Sequence, residues 1–277
     1  MYCMLEHLHE EPDATRSPLV LLHGFPDSPR MYDAYVRAGE REQPWLRGRD
    51  IYAIAFPNRL THPHFPKLGE LVGDVLREEV ARLFDDLAAA SPTGKLVVIA
   101  HDWGATYTWA YARQRHPHAP IEKLVALSVG SSFRYDLGEH GLRALGWFYA
   151  LFFSLPYYVR VPLLQRAVSE AIQRSAGYRG ERADQLHQDC YHYWHGPLWL
   201  VRWPFALLGA EYQKPYTDFP FPVLYIRSPF DRMASTDAFE RTVREREDCR
   251  FRLFEDVNHW FPEQHAERVL AEVRTFL

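Results

Sequence analysis

The sequence predicts an α/β protein whose mostly parallel, doubly wound sheet is interrupted once by a helical insertion. Two observations lead to this prediction: five short runs rich in leucine and β-branched residues, and helical patterns that alternate with them. Runs that stay apolar throughout are typical of parallel strands with both faces covered. We expect right-handed crossovers, a core formed by residues 1–131 and 216–277, and an insertion at residues 132–215.

Each predicted element follows from a local pattern. The strands are the apolar runs at 19–23, 50–56, 95–101, 123–129 and 221–228, and residues 2–9 have room for one further strand at the edge. The helices show apolar residues at three- and four-residue spacing, over 69–90, 103–115, 235–246 and about 262–277.

The insertion differs from the rest of the chain in composition. Residues 132–215 contain no clear strand pattern, and 17 of these 84 residues are aromatic against 24 of the other 193. This composition favours a helical lid with an apolar inner surface. Its longest apolar stretch, residues 147–156, is well short of the ~18–20 residues that span a bilayer, so we expect a buried helix and no membrane span.

Charge and cysteine content argue against several classes of protein. The net charge of −4, with no basic stripe, argues against nucleic-acid binding. The three cysteines form no CxxC pair, and the N-terminal stretch MYCMLEHLHEEPD lacks the features of a signal peptide. We therefore expect a protein of the reducing cytoplasm. We also expect a monomer or homodimer that needs no cofactor.

A strand-to-helix turn at Asp102 carries the strongest local motif. The buried run ends at His101, and a helical pattern begins just beyond Asp102, which matches a nucleophile elbow whose central side chain projects above the sheet. Small residues two positions before and after the nucleophile let strand and helix pass closely, and Ala100 and Gly104 meet this requirement. The alternative role for Asp102 is the N-cap of the helix.

Two further segments fit the same architecture. HGFPDS at 23–28 follows the first central strand, where a loop supplies a backbone N–H to an oxyanion hole. Asp231 follows the strand at 221–228 and His259 precedes the last helix, which is the required chain order of nucleophile, acid and histidine. An Asx-turn for Asp231 and a surface loop for His259 are the alternatives, but the joint pattern favours a triad with Asp102.

These motifs carry a resemblance to a known family. The chain resembles α/β-hydrolases of the epoxide hydrolase group in HGFPDS at 23–28, HDWGA at 101–105, Asp231 after its strand, and Asn258-His259 before Trp260. The resemblance implies an α/β-hydrolase fold with a helical lid. It also implies that Asp102 is the nucleophile, His259 the base and Asp231 the partner of the base.

The same resemblance assigns the oxyanion hole. It implies that the backbone amides of Phe25 and Trp103 hold the oxyanion, and that the peptide bond between Phe25 and Pro26 is cis. One loop departs from the family: residues 56–67 are rich in proline and histidine where relatives carry an Arg-Gly turn. His62 and His64 in this loop have no further ligand at metal-site spacing, so we expect a polar loop and no metal.

The implied reaction suits an aspartate. A carboxylate is already ionised at neutral pH and can attack an sp³ carbon directly, which leaves an alkyl ester on Asp102. His259, oriented by Asp231, would then activate the water that cleaves the ester. The expected activity is hydrolysis of a small apolar epoxide to a vicinal diol, with water as the second substrate.

The leaving oxygen of an epoxide needs a proton donor, which in this family is usually a pair of lid tyrosines. The candidates are Tyr149, Tyr191 and Tyr193. Simple packing is the alternative role for each of them. Tyr193, beside Trp194, most resembles the second lid tyrosine region of the family.

Two other functions stay open at this point. In carbon–halogen hydrolysis the halide is held by donors such as a Trp and an Asn; Trp103 suits this role, but Phe25 occupies the Asn position. His192 with Trp194 resembles the halide pocket of fluoroacetate dehalogenases, but the Arg expected soon after their nucleophile is missing. A hydrolase-fold binding protein that uses its triad little is the third possibility, and the intact triad argues against it.

Overall fold

The computed structural model describes residues 3–11, 14–25, 27–40, 46–57, 73–131, 161–175, 177–180 and 215–277. Seven strands form one sheet within these ranges: β1 (Met4–His9), β2 (Leu19–Leu22), β3 (Ile51–Ala55), β4 (Leu96–His101), β5 (Ile121–Leu127), β6 (Val223–Arg227) and β7 (Arg250–Leu253). The described helices are α1 (Asp33–Glu40), α2 (Gly73–Ala90), α3 (Trp103–Gln114), α4 (Pro162–Ser175), α5 (Asp237–Glu245), α6 (Phe261–Gln264) and α7 (Ala266–Phe276). Two 3-10 helices cover Pro29–Tyr32 and Pro229–Ala234.

The strands lie in the order β1-β3-β2-β4-β5-β6-β7. β1 pairs antiparallel with β3, and every other neighbouring pair is parallel. All five predicted central strands are present with ends shifted by one or two residues, and the predicted edge strand is β1. The predicted fold class, a mostly parallel α/β sheet, is confirmed.

Both faces of the sheet are covered by helices, which explains the continuous apolar runs. In β4, Val98 and Ala100 pack in a cluster with α2, α3 and α5, while Val97 and Ile99 pack on the opposite face with α1 and α7. Because successive side chains of a strand point to opposite faces, a strand between two helical layers needs apolar residues at every position.

Three features of the core were not predicted from the sequence. The edge strand β7 has the sequence RFRL and buries only Phe251, so it lacks an apolar run. The segment from Pro29 to Glu40 forms a 3-10 helix followed by α1. The predicted helix at 262–277 is two helices, α6 and α7, because the backbone of His265 (φ −125°, ψ 39°) leaves the helical region.

Helix α4 lies between β5 and β6 in the chain, within the predicted insertion, and those two strands pair directly with each other. The remaining residues of the insertion lie almost entirely outside the described ranges, so its boundaries at 132 and 215 stay a prediction. Over the ranges that the structure does describe, no helix combines the length and the apolar character needed to cross a membrane.

An aromatic cluster holds α3, the helix that follows Asp102, against the rest of the core. The ring of Trp109 in α3 lies 5.2 Å from the ring of Phe239 in α5, which in turn lies 5.2 Å from the ring of Tyr225 in β6. Phe239 is fully buried. The cluster therefore fixes the helix behind the elbow relative to two later segments of the chain.

Replacing Phe239 should test this cluster. We expect Phe239→Ala to lower the free energy of unfolding by about 3–5 kcal/mol, the usual cost of removing a buried aromatic ring. Phe230→Ala is the matched control because the side chain of Phe230 is 59% exposed, and it should change the unfolding free energy little. Equal losses in urea unfolding of the two variants would contradict the assignment of Phe239 to the core.

Candidate active site

The residues predicted to act together all lie at the carboxyl ends of the strands. Phe25 follows β2, Asp102 follows β4, Asp231 follows β6, and His259 lies between β7 and α6. Ligand sites of open parallel sheets form at this edge. The chain order seen in the sequence thus becomes a spatial cluster.

Asp102 occupies a strained turn between β4 and α3. Its backbone has φ 49° and ψ −116°, a conformation with positive φ that costs a non-glycine residue about 1–3 kcal/mol. Hydrogen bonds hold it on both sides: its N–H donates to the carbonyl of Leu127 at 3.3 Å, and its carbonyl accepts from the N–H of Thr106 at 3.0 Å. This is the backbone geometry of a nucleophile elbow.

Two glycines allow the turn after β2 to approach the elbow. A Cβ at Gly24 would lie only 2.5 Å from the Cβ of Asp102. A Cβ at Gly104 would lie 2.6 Å from the carbonyl oxygen of Leu22 and 2.7 Å from that of His23. These distances are too short for real atoms, so the close approach requires glycine at both positions.

The carboxylate of Asp102 accepts hydrogen bonds from two backbone amides, one in the turn after β2 and one at the start of α3. Its Oδ2 accepts a hydrogen bond from the Phe25 N–H at 2.8 Å, and the carboxylate also accepts from the N–H of Trp103. Asp102 occupies the N-cap position of α3, but its side chain makes no capping hydrogen bond of the usual kind there. Two amides converging on one carboxylate are the arrangement expected of an oxyanion hole.

His23 fixes the loop that presents the Phe25 amide. The Phe56 N–H donates to His23 Nε2 at 3.1 Å, so Nδ1 carries the proton and donates to the carbonyl of Gly24 at 2.8 Å. The His23 ring is buried and therefore links the turn after β2 to the end of β3.

His259 and Asp231 form a close pair. His259 Nδ1 donates to Asp231 Oδ1 at 2.6 Å, and the hydroxyl of Ser228 donates to Asp231 Oδ2 at 2.7 Å. Each oxygen of the buried Asp231 carboxylate thus has a hydrogen-bond partner. The second ring nitrogen of His259, Nε2, lies 3.9 Å from Oδ1 of Asp102.

The charges of this cluster shift the pKa of its members. Burial alone would lower the pKa of His259, but the neighbouring carboxylates of Asp231 and Asp102 outweigh it and raise the pKa to about 9. Burial raises the pKa of Asp102, while the charge of His259 and the two amides at Phe25 and Trp103 act in the opposite direction. His259 is therefore protonated at neutral pH as long as both carboxylates are charged.

A second histidine supports the first. His101 Nε2 donates to the carbonyl of His259 at 3.1 Å, and the two rings lie 4.7 Å apart. Burial, followed by the charge of His259, lowers the pKa of His101 well below its usual range. His101 is thus a neutral donor that connects the end of β4 to the loop carrying His259.

Five of the eight predicted site residues come together in this cluster: Asp102, Asp231, His259, Phe25 and Trp103. The other predictions, the lid tyrosines Tyr149, Tyr191 and Tyr193, the peptide bond to Pro26, and the loop histidines His62 and His64, concern residues outside the described ranges.

Sequence reasoning assigned no role to three supporting residues: His23, His101 and Ser228. His23 and His101 lie in the HGFPDS and HDWGA motifs, and Ser228 directly follows β6. These positions beside the predicted site residues could have indicated a supporting role. Among the residues that the structure describes, no group of three or more His, Cys, Asp or Glu side chains could hold a metal ion.

Comparison with protein families decides the membership of the chain. The model of the Alpha/beta hydrolase family matches residues 19–272. The chain belongs to the alpha/beta hydrolase family. The matched residues include every strand except the edge strand β1 and all the residues of the cluster, and the membership supports a hydrolase that acts on a small molecule with water.

Solved structures of this fold include enzymes of several specificities. An epoxide hydrolase from Bacillus megaterium is 16% identical, with a TM-score of 0.67 over 99% of this chain and 96% of its own. Epoxide hydrolase A from Mycobacterium thermoresistibile is 20% identical, with a TM-score of 0.63 over 99% of this chain and 94% of its own. A structure from work on carboxylesterases of Nitrososphaera gargenis is 16% identical, with a TM-score of 0.60 over 99% of this chain and 93% of its own.

At these identities the comparison shows the shared alpha/beta hydrolase fold. A search of curated proteins found no matching sequence. The structure from the work on carboxylesterases aligns about as well as the two epoxide hydrolases, so the fold does not distinguish between their reactions.

The raised pKa of His259 predicts a pH-dependent stability. A group with a higher pKa in the folded state stabilises the protein fully below its unfolded pKa of 6.5, and this contribution is lost as pH rises to about 9. We expect the unfolding free energy of the wild type to fall over this window relative to His259→Gln. Urea unfolding at both pH limits measures the difference, and the same pH dependence in both proteins would contradict the predicted shift.

Proposed function

We propose that this alpha/beta hydrolase opens epoxides to vicinal diols through an alkyl ester on Asp102. The observation that carries the proposal is a carboxylate at the elbow whose Oδ2 accepts from the Phe25 amide, with His259 Nε2 3.9 Å from its Oδ1. The buried pair of His259 and Asp231 supports a base that acts after the nucleophile.

The residue at the elbow separates this chemistry from that of an esterase. A serine must lose its proton to a histidine before it attacks, whereas a carboxylate attacks without proton transfer. A charged carboxylate is suited to direct displacement at an sp³ carbon, as in an epoxide. The product of that displacement is an ester between Asp102 and the substrate.

The two oxygens of Asp102 have different roles in this mechanism. Oδ2 is held by the Phe25 amide, so Oδ1, on the side of His259, is the oxygen that attacks. Attack forms the bond from Oδ1 to a ring carbon and breaks the bond from that carbon to the ring oxygen. Oδ2 then becomes the carbonyl oxygen of the ester and stays in contact with the amide.

Water cleaves the ester in the second step. His259 takes a proton from a water that adds to Cγ of Asp102, and the negative charge develops on Oδ2, where the amides of Phe25 and Trp103 stabilise it. The tetrahedral intermediate then collapses: the bond from Cγ to Oδ1 breaks, His259 gives the proton to the departing Oδ1, and the diol leaves with that oxygen. Ester formation also removes one of the two carboxylate charges that raise the pKa of His259. The pKa therefore falls once the ester has formed, and His259 becomes available as a base.

Protonation of the leaving oxygen needs a group on the other side of the substrate. Displacement proceeds in line, so the ring oxygen departs away from Asp102 and from the neighbouring His259. A donor facing the elbow from the predicted lid meets this requirement, and Tyr193, with Tyr191 and Tyr149 as the other candidates, is proposed for it. The aromatic composition of residues 132–215 supports a small apolar substrate.

Removing the charge of Asp102 should abolish turnover. We expect Asp102→Asn to keep the fold but to hydrolyse an aryl oxirane about 10⁴-fold more slowly or worse, as when other covalent catalysts lose their nucleophile. Asp86→Asn is the matched control, since Asp86 pairs with Arg82 on the surface of α2. Near-normal turnover by Asp102→Asn would contradict the proposal, provided that mass spectrometry shows no Asp formed at position 102 by deamidation of the Asn.

Removing the base should separate the two steps. We expect His259→Gln to form the ester but to hydrolyse it ~10²–10⁴-fold more slowly, so that covalent enzyme accumulates. Intact-mass spectrometry should show the mass of the whole epoxide, and peptide mapping should locate it on Asp102. His265→Gln, at an exposed histidine six residues later, should accumulate none.

The same measurement distinguishes the alternative chemistry. A haloalkane would add only its alkyl group to Asp102, with release of halide. If the wild type turned over an epoxide while folded His259→Gln showed no adduct at any time, the ester mechanism would be contradicted and direct attack by water would take its place.

A further inference from the structure

The side chain of Asn258 links the loop that carries His259 to the segment just after helix α4. The amide Nδ2 of Asn258 donates to the carbonyl of Gly177 at 2.6 Å and to Oε1 of Gln264 at 3.3 Å. Its Oδ1 accepts from the N–H of Trp260 at 2.8 Å. Asn258 directly precedes His259, and its side chain thus binds two residues that follow His259 and reaches a segment 81 residues away in the sequence.

The acceptor on the α4 side is fixed to the end of that helix. The N–H of Gly177 donates to the carbonyl of Arg174 at 3.0 Å, and the N–H of Tyr178 donates to the carbonyl of Gln173 at 2.9 Å. These two bonds, with Gly177 at φ +87°, form a Schellman cap. The carbonyl that Asn258 binds thus moves only with the end of α4.

The fit between the two segments is close. A Cβ at Gly177 would lie 2.9–3.1 Å from three side-chain atoms of Asn258. Next to this contact, the buried ring of Tyr178 packs edge-on against Trp260, with 4.9 Å between the ring centres. The hydrogen bond and the aromatic contact hold the residues on either side of His259 against the same short segment.

We propose that Asn258 is a positioning residue, which aligns His259 for the attack of water on the Asp102 ester by tying the His259 loop to the end of α4. The inference rests on the proposed function, because it assigns Asn258 to the second step of that reaction. Asp231 orients the imidazole through Nδ1, and His101 holds the carbonyl of His259, but neither contact reaches α4. Asn258 supplies that link.

This role predicts a specific kinetic pattern. If only ester hydrolysis is impaired, kcat falls while kcat/KM, which reports the steps up to ester formation, is unchanged, so KM falls in proportion to kcat. We expect Asn258→Ala to lower kcat roughly tenfold to a hundredfold, the size of effect that a small misplacement of a catalytic group produces. A partly unfolded variant would lower kcat at constant KM.

Gly177→Ala tests the same link from the α4 side, because its methyl group would displace Asn258. Gly94→Ala is the matched control: Gly94 has a similar φ of +67°, but a Cβ there would meet nothing within 4 Å. Both alanines carry the strain of a left-handed backbone, and only the one at position 177 contacts Asn258. We expect Gly177→Ala to show the same fall in kcat and KM, and Gly94→Ala to behave as wild type.

The experiment measures kcat, KM and the fraction of covalent enzyme for the wild type and the three variants with an aryl oxirane. Hydrogen exchange of residues 177–180 and 258–264 is measured without substrate. The inference is supported if Asn258→Ala and Gly177→Ala accumulate the ester and exchange faster in these residues, while the wild type and Gly94→Ala do neither. If the wild type is active and Asn258→Ala has an unchanged kcat, or a lower kcat at constant KM, the inference is overturned and the proposed function is left intact. A wild type that never forms an ester on Asp102 would overturn both.

Discussion

The close approach of the turn after β2 to the elbow after β4 is the contact on which the site depends. It requires glycine at positions 24 and 104, since a side-chain carbon at either would overlap atoms of the opposite turn. At this distance the Phe25 amide reaches Oδ2 of Asp102. The fold is shared with a structure from work on carboxylesterases and with an epoxide hydrolase. The side chain at position 102, and not the fold, therefore carries the argument for the reaction.

Electrostatics connects the two proposed steps. Burial disfavours the charged forms of both Asp102 and His259, and placing the two groups next to each other offsets this cost in part. Asp231, with one oxygen bound to Ser228, adds the second negative charge beside the imidazole. His259 is then charged while Asp102 is a free carboxylate and less basic once Asp102 is an ester. In the proposed reaction, the contacts of His259 with Asp102 and Asp231 would provide both a stable resting site and a base for the second step.

The sequence was sufficient for the parts of the structure that follow from local pattern. Continuous apolar runs identified the central strands, and small residues around Asp102 identified the elbow. The strand β7 was not predicted because its sequence, RFRL, has two arginines and a single buried phenylalanine, Phe251, and so contains no apolar run. The links from Ser228 to Asp231 and from Asn258 to Gly177 could not be predicted, because short polar side chains leave no periodic signal and the second link joins residues far apart in the chain.

The central claim is that Asp102 forms a covalent ester, and the fate of oxygen in a single turnover tests it most directly. Excess enzyme is mixed with an epoxide in water labelled with oxygen-18, and the diol and the peptide containing Asp102 are analysed by mass. The account predicts that the diol of the first turnover carries unlabelled oxygen from the carboxylate, while the label appears in Asp102. A labelled diol from the first turnover, with no label in Asp102, would contradict the account.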